Sequence, residues 1–455
     1  MSTAQNPDEA LTPPVVVESA DDHRLVDWVR QAAPYIHTFR GKCFVIAFGG
    51  EVLIDGQAPA LIHDIALLDA MGIRLVLVHG ARPQIDAEMA FRGLTPRFHK
   101  GLRLTDAATL ECVKRAMGVT RIEIEAMLSQ GLPNTPLAGG YIRVTGGNFV
   151  SAKPVGVVDG VDYQWTGAVR KVIAEEILAD LAQENIVLIT PIGASPSGEI
   201  FNLAWEEVAE AVATAIRADK LIFLCAAPGL TDEEGRLITA LTAEEARQRS
   251  ERPPPLPEEI ARVLPGAIRA CCRGVGRVHF LDRRADGAML MEFFTREGVG
   301  TVMTQTPLAR LREAGNEDVA AVLALIAPLE ADGTLVKRGR ERLENEIQRF
   351  SLLEHDGVVV GCAALHPFTE ESIGELACLV VAPQFQREGF GDQLRRHIED
   401  KARQAGLRRL YVLTTRTAHW FIERGFQEAG IEVLPAARRA AYNTDRRSKV
   451  FIKTL

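Results

Sequence analysis

The chain has 455 residues, of which 47% are hydrophobic, and a net charge of −8. That length exceeds one ordinary core and predicts two or three domains. The composition is that of a soluble globular protein, with no apolar run near membrane-spanning length. The acidic balance argues against a general nucleic-acid binder.

The first 21 residues are acidic and proline-bearing (Asp8, Glu9, Pro13, Pro14, Glu18) and read as a disordered leader rather than a targeting segment. Leu25 to Ala33 has amphipathic helical spacing. From Cys43 onward short apolar runs alternate with helical segments. Strands are expected at Cys43–Phe48, Arg74–Val78, Ile186–Thr190, Leu221–Cys225 and Val278–Leu281, with helices at Ile62–Met71 and Val208–Ala218. Such alternation predicts an α/β sandwich on a largely parallel sheet. Ligands of such sheets sit beyond the strand ends, here at Gly49-Gly50 and Gly80. Seven cysteines, in apolar contexts such as Cys43, Cys225 and Cys362, show no zinc spacing. Adjacent Cys271 and Cys272 are badly placed to bridge. Free thiols in a reducing cytoplasm are expected, and no metal.

The most informative stretch runs from Gly374 to Gly391. An apolar strand, Leu376 to Val381, leads into Gln386-Arg387-Glu388-Gly389-Phe390-Gly391, and Leu394, Ile398 and Ala402 continue at helical spacing. A glycine loop on a strand-to-helix turn brings free N–H groups and a positive helix end toward a phosphate. Alone, Gln-x-x-Gly-x-Gly also describes an ordinary tight turn.

With its flanking strand and helix, the stretch resembles the acetyl-CoA loop of the GNAT acetyltransferases, over roughly Ala309 to Leu455. The resemblance implies that Gln386, Gly389 and Gly391 cradle the pyrophosphate. It also implies that Cys378 and Val380 offer backbone groups to acetyl-CoA. Residues from about Asp22 to Thr301 resemble the amino-acid kinase family, in its arginine-sensitive branch. The motifs are Ala33-Pro34-Tyr35-Ile36, His79-Gly80-Ala81-Arg82-Pro83 and Glu292-Phe293-Phe294-Thr295-Arg296-Glu297-Gly298-Val299-Gly300. Two kinase lysines are missing, with Ala47 and Ala270 in their places. Phosphoryl transfer depends on electrostatic clamping, so their loss predicts no kinase chemistry. A kinase-like domain without kinase chemistry, fused to a GNAT domain, resembles the two-domain family of bacterial N-acetylglutamate synthases. The implied layout is a leader to residue 21, a kinase-like domain at 22–301, a linker at 302–308 and a GNAT domain at 309–455.

That resemblance implies acetyl transfer from acetyl-CoA to the α-amine of L-glutamate, the entry to arginine synthesis. Glu375 stands at the family's general-base position; by itself it reads as a strand-end carboxylate facing solvent. Thr414 stands where the family can carry a serine that protonates the departing thiolate, though threonine also suits a strand. Arg338 and Arg446 match the family's substrate arginines, with Arg447 an alternative to Arg446. The basic run Arg438, Arg439, Arg446, Arg447 and Lys449 otherwise reads as a solvated tail. Trp420-Phe421 and Arg424-Gly425-Phe426 read as packing. The regulatory ligand implied is L-arginine, at Tyr35, His279, Glu292, Gly298 and Gly300. The N-terminal helix implies a homo-oligomer, a hexamer in the family. A bifunctional synthase/kinase and a non-catalytic arginine sensor are the alternatives.

Overall fold

The computed structural model describes residues 20–130, 142–295, 298–386, 389–442 and 448–455. The chain divides into two units, Met1–Thr306 and Pro307–Leu455. Residues 1–19 of the expected leader lie outside the described residues. Ala20 and Asp21 open helix α1 (Ala20–Phe39), which runs past both ends of the helix expected there.

The first unit is built on eight strands: β1 (Cys43–Phe48), β2 (Arg74–His79), β3 (Val144–Thr145), β4 (Ile186–Ile189), β5 (Lys220–Cys225), β6 (Ala240–Thr242), β7 (Arg277–Asp282) and β8 (Thr301–Thr304). Their order is β6-β8-β7-β5-β1-β2-β4-β3. Every pairing is parallel except β7 with β8. Side chains alternate across each strand, so both faces need cover. Val45, Ala47, Val76 and Phe223 pack with α5 (Trp205–Ala215) and α6 (Glu258–Cys272) on one side. Phe44, Ile46, Leu75 and Ile222 pack on the other with α2 (Ala58–Ala70), α4 (Ala107–Ser129) and α7 (Ala288–Phe294). Helix α3 (Arg82–Phe91) follows β2 directly. This is the αβα sandwich that the alternating pattern predicts. Thr301–Thr304, which overlaps the linker expected at 302–308, pairs in the sheet as β8.

The second unit carries seven strands: β9 (Ala309–Glu313), β10 (Phe350–His355), β11 (Val358–Phe368), β12 (Ile373–Val381), β13 (Arg409–Thr414), β14 (Gln427–Ala429) and β15 (Lys449–Thr454), in the order β9-β10-β11-β12-β13-β15-β14. Helix α8 (Val319–Ala331) and the short α9 (Arg340–Glu346) cover one face. Helix α10 (Phe390–Gln404) covers the other through Leu394, Ile398 and Ala402, the residues whose spacing marked it. A short helix, α11 (Ala436–Ala440), precedes the last strand. Among the described residues no helix is long and apolar enough to cross a membrane.

One departure from regularity sets the geometry around Glu375. β12 and β13 pair in parallel only from Ile373 to Glu375. Beyond Glu375 they part, while β12 keeps β11 on its other edge as far as Val381. The β11–β12 register slips between Cys362 and Ala364, and opposite that slip Cys378 has φ +49°. A non-glycine residue rarely adopts that conformation, and bulges of this kind recur beside active sites. The extra residue puts Ala377 and Cys378 in the same core cluster, on the α8 side.

Leu394 is fully buried and is the central contact of α10 with the sheet. Leu394→Ala should cost about 2–5 kcal/mol by leaving a cavity. A urea titration followed by circular dichroism and tryptophan fluorescence checks this. A midpoint unchanged from wild type would show that α10 is held by something other than its apolar stripe.

Candidate active site

Glu375 is the last residue of β12 paired with β13, at the apex of the wedge, and only 5% exposed. It does not face solvent, as an isolated strand-end carboxylate would. Its Oε2 accepts a hydrogen bond from the Tyr411 hydroxyl at 3.1 Å, and its Oε1 one from an Arg438 guanidinium nitrogen at 2.8 Å. Tyr411 is its register partner on β13. Burial, together with the Glu375 carboxylate, raises the Tyr411 phenol above its usual range, so it stays a donor. Burial works against the charge of Arg438, but Glu375 outweighs it and raises that guanidinium's pKa. Neither partner was singled out in the sequence. Arg438 belongs to a run that reads as a solvated tail, yet α11 delivers it to Glu375.

The two arms of the wedge carry the other expected residues. Cys378 and Val380 lie on the β12 arm, whose far edge has no strand partner among the described residues. Burial pushes the Cys378 thiol up to about 11, so it is held as a thiol. Thr414 ends the β13 arm, on the face opposite that of Tyr411 by strand alternation. Its hydroxyl lies 2.9 Å from that of Thr417 and accepts the Thr417 N–H at 3.1 Å. No hydrogen bond joins Thr414 to Glu375 in the described residues.

At the mouth of the wedge, Gly389 (φ +74°) sits at the N-terminal end of α10, where no side chain among the described residues caps the helix. A side chain on Gly391 would approach the Trp420 ring to 3.3 Å. Gln386 donates from its amide to the Val381 carbonyl at 3.3 Å, tying the loop to its strand. Arg424 stacks on Trp420 at 4.1 Å and pairs with Asp392, so these residues pack, as expected.

Arg338 comes from the α8–α9 connection and is 8% exposed, with one guanidinium nitrogen against the Cys378 sulfur. Its Nε has no hydrogen-bond partner among the described residues. Arg446 and Arg447 lie outside the described residues.

In the first unit the expected effector residues converge. His279 on β7 is buried and its Nδ1 lies 2.7 Å from Glu292 Oε1. Glu292 Oε2 accepts the backbone N–H groups of Val299 (2.9 Å) and Gly300 (3.0 Å). Lys220, missed in the sequence, reaches His279 Nε2 at 3.1 Å and lies over the Phe39, Phe44 and Phe293 rings. Burial, and then Lys220, lower the His279 pKa to about 4. A neutral imidazole therefore donates from Nδ1 and accepts at Nε2. Burial opposes the charge of Glu292, but His279 and the two N–H groups outweigh it and bring its pKa down to about 2. Gly298 (φ +62°) leaves the room Glu292 occupies; a side chain there would come within 2.7 Å of its oxygen. Gly300 lies against the Phe280 carbonyl. Tyr35 stands on α1, next to Phe39 in the same aromatic cluster.

At the expected phosphoryl-transfer positions, Ala47 and Ala270 are fully buried methyl groups of one apolar cluster. Arg269 beside them is paired with Glu210. Gly80 at the strand ends faces the Trp205 indole, and Gln84 donates to the Gly50 carbonyl at 2.7 Å.

Residues 42–282 match the amino acid kinase family, and residues 319–426 the acetyltransferase (GNAT) family. The amino-acid acetyltransferase of Ralstonia nicotianae is 50% identical over 453 residues, covering 100% of this chain and 99% of that protein. The amino-acid acetyltransferase of Azotobacter vinelandii is also 50% identical, over 94% of this chain and 99% of its own length. Among solved structures, N-acetylglutamate synthase from Neisseria gonorrhoeae complexed with coenzyme A and L-arginine is 40% identical, with a TM-score of 0.83. That match covers 94% of this chain and 99% of the other. The same enzyme complexed with coenzyme A and N-acetyl-glutamate matches with a TM-score of 0.61 and 41% identity over the same shares. A kinase-like sandwich and a GNAT sheet in one chain, with relatives matching along the whole length, place this chain in the amino-acid acetyltransferase family, the two-domain N-acetylglutamate synthases.

Proposed function

We propose that the chain transfers the acetyl group of acetyl-CoA to the α-amine of L-glutamate as the first step of arginine biosynthesis, under feedback control by L-arginine bound to the kinase-like unit. The observation that carries the reading is a buried carboxylate, Glu375, at the point where β12 parts from β13. The wedge fits acetyl-CoA: it offers an unpaired strand edge for an extended amide-bearing chain and, at its mouth, an uncapped helix end for phosphates.

In this reading Cys378 and Val380 offer backbone groups to acetyl-CoA, and Gln386, Gly389 and Gly391 shape the pyrophosphate cradle. Glu375 accepts the proton of the attacking ammonium, directly or through water, while Tyr411 and Arg438 fix its two oxygens. N–H groups on the open edge of β12 stabilise the charge that develops on the acetyl oxygen. Thr414 supplies a hydroxyl for the departing thiolate. Arg338 and Arg446 hold the carboxylates of glutamate. Arginine binds where Tyr35, His279, Glu292, Gly298 and Gly300 meet, with N–H-rich backbone for its polar head and a carboxylate for its guanidinium. The assembly is a homo-oligomer, a hexamer by resemblance, acting in the cytoplasm. Buried Ala47 and Ala270, and the pairing of Arg269 with Glu210, argue against a kinase activity beside it. The aligned carboxylate in the wedge argues against a sensor without catalysis.

Glu375→Gln should lower glutamate-dependent thiol release from acetyl-CoA by about 10²–10⁴-fold, the usual contribution of a general base. The affinity for acetyl-CoA should stay near wild type, since the amide leaves the strand edge intact. Wild-type turnover across neutral pH would remove Glu375 from the chemistry.

Glu292→Ala should weaken inhibition by arginine at least about tenfold, roughly 1.4 kcal/mol. Turnover without arginine should be unchanged. Arginine titrations of both proteins at fixed glutamate and acetyl-CoA decide it, and superimposable curves would place the effector elsewhere.

A further inference from the structure

His366 on β11 is the register partner of Glu375 on β12. Directly opposed residues of antiparallel strands present their side chains on the same face. His366 is 8% exposed, so its ring is enclosed with the base. Arg349 lies 2.8 Å from His366 Nδ1. A guanidinium can only donate, so Nδ1 accepts and the ring proton is on Nε2. Burial lowers the pKa of the ring, which favours the neutral form.

That Nε2–H has no hydrogen-bond partner in the described residues. Glu375 does not take it: its two oxygens accept from Tyr411 and Arg438, and no hydrogen bond among the described residues joins it to His366. A buried donor without an acceptor is unfavourable, and native folds rarely keep one unless a ligand or water completes it. Two more buried nitrogens without partners, Arg338 Nε and Arg438 Nε, belong to residues that touch Cys378 and Glu375 on the same strand. Donors around the base thus await an acceptor. The charges that act on the His366 ring are those of Glu375 and Glu346, which favour its protonation, and of Arg349 and Arg338, which oppose it.

An amino acid that offers its α-amine to Glu375 carries its α-carboxylate one carbon away. The group that holds this carboxylate must stand beside the base, whereas the side-chain carboxylate reaches farther. We propose that His366 positions the acceptor by donating its Nε2–H to the α-carboxylate, with Arg349 fixing the tautomer from behind. The inference rests on Glu375 being the base for glutamate acetylation.

The test uses the full chain, its His366→Phe and His366→Gln variants, and three acceptors. These are L-glutamate, 4-aminobutyrate (glutamate without its α-carboxylate) and L-glutamine, in which the distal carboxylate is an amide. Circular dichroism verifies that each variant is folded. His366→Phe should raise KM for glutamate at least about tenfold, as a site that loses a hydrogen bond to its substrate does. KM for acetyl-CoA should change by less than about twofold. The preference for glutamate over 4-aminobutyrate should collapse by the same factor, read as kcat/KM or as inhibition constants against glutamate. The preference over glutamine should hold. His366→Gln, whose amide can present an N–H near the same place, should recover most of the loss. A loss that leaves the 4-aminobutyrate ratio unchanged, or that falls on the glutamine ratio instead, overturns the assignment. A wild-type protein that releases no thiol with glutamate would overturn the acetyl-transfer reading itself.

Discussion

The separation of β12 from β13 after Glu375 is the constraint on which the catalytic unit depends. A sheet gains by continuing its ladder, and an open interior edge leaves backbone groups unsatisfied. Here the ladder stops after three residue pairs, and the bulge at Cys378 turns the strand out of register with its remaining neighbour. The consequence is a slot bounded by two strands. Its floor is a carboxylate and its mouth is the start of α10. α10 cannot move independently of the slot, because its apolar stripe packs on the sheet that the slot interrupts.

A polar network then fills one side of that slot. Glu375 is held by a phenol from β13 and a guanidinium from α11, and it faces a histidine from β11 that is oriented by Arg349. Arg338 enters from the α8–α9 connection and rests on Cys378. Buried charges are tolerated only when paired, so the network fixes the geometry of the Glu375 carboxylate. The proposed acceptor, glutamate, would bring one ammonium and two carboxylates to a carboxylate and to N–H donors that have no partner among the described residues. In the kinase-like unit the Lys220–His279–Glu292 chain ends on two backbone N–H groups and ties β5, β7, α7 and the segment before β8 into one unit. A ligand that alters this chain acts on several elements together. Any such coupling to acetyl transfer must be reciprocal, with acetyl-CoA and glutamate changing arginine affinity in return.

Local patterns made the fold readable. The alternating runs from Cys43 to Leu281 marked the parallel sheet because strands covered on both faces are continuously apolar. The Gln386–Gly391 loop, with Leu394, Ile398 and Ala402 after it, marked the strand–turn–helix. Element ends shifted by a few residues, and the strand Thr301–Thr304 escaped notice. The environment of Glu375 was not readable, since Arg349, His366, Tyr411 and Arg438 come from separate elements and meet only in the folded sheet and the helix beside it. Arg438 in particular sits among arginines that look like a solvated tail, and burial separates it from them only in three dimensions. Lys220 opens a strand, where a charge usually faces solvent. Its cage of Phe39, Phe44 and Phe293 comes from three separate segments. The one local clue was a lysine at the head of a wholly apolar run.

The central claim is that the open edge of β12 and the start of α10 receive acetyl-CoA. Hydrogen exchange on the full chain, with and without coenzyme A, tests it most directly. The account predicts new protection at the amides of Leu376 to Val381 and at Phe390 to Gln393, with the strand ends at Gly49 and Gly80 unchanged. Protection at those kinase-like strand ends, with none along β12, would contradict it.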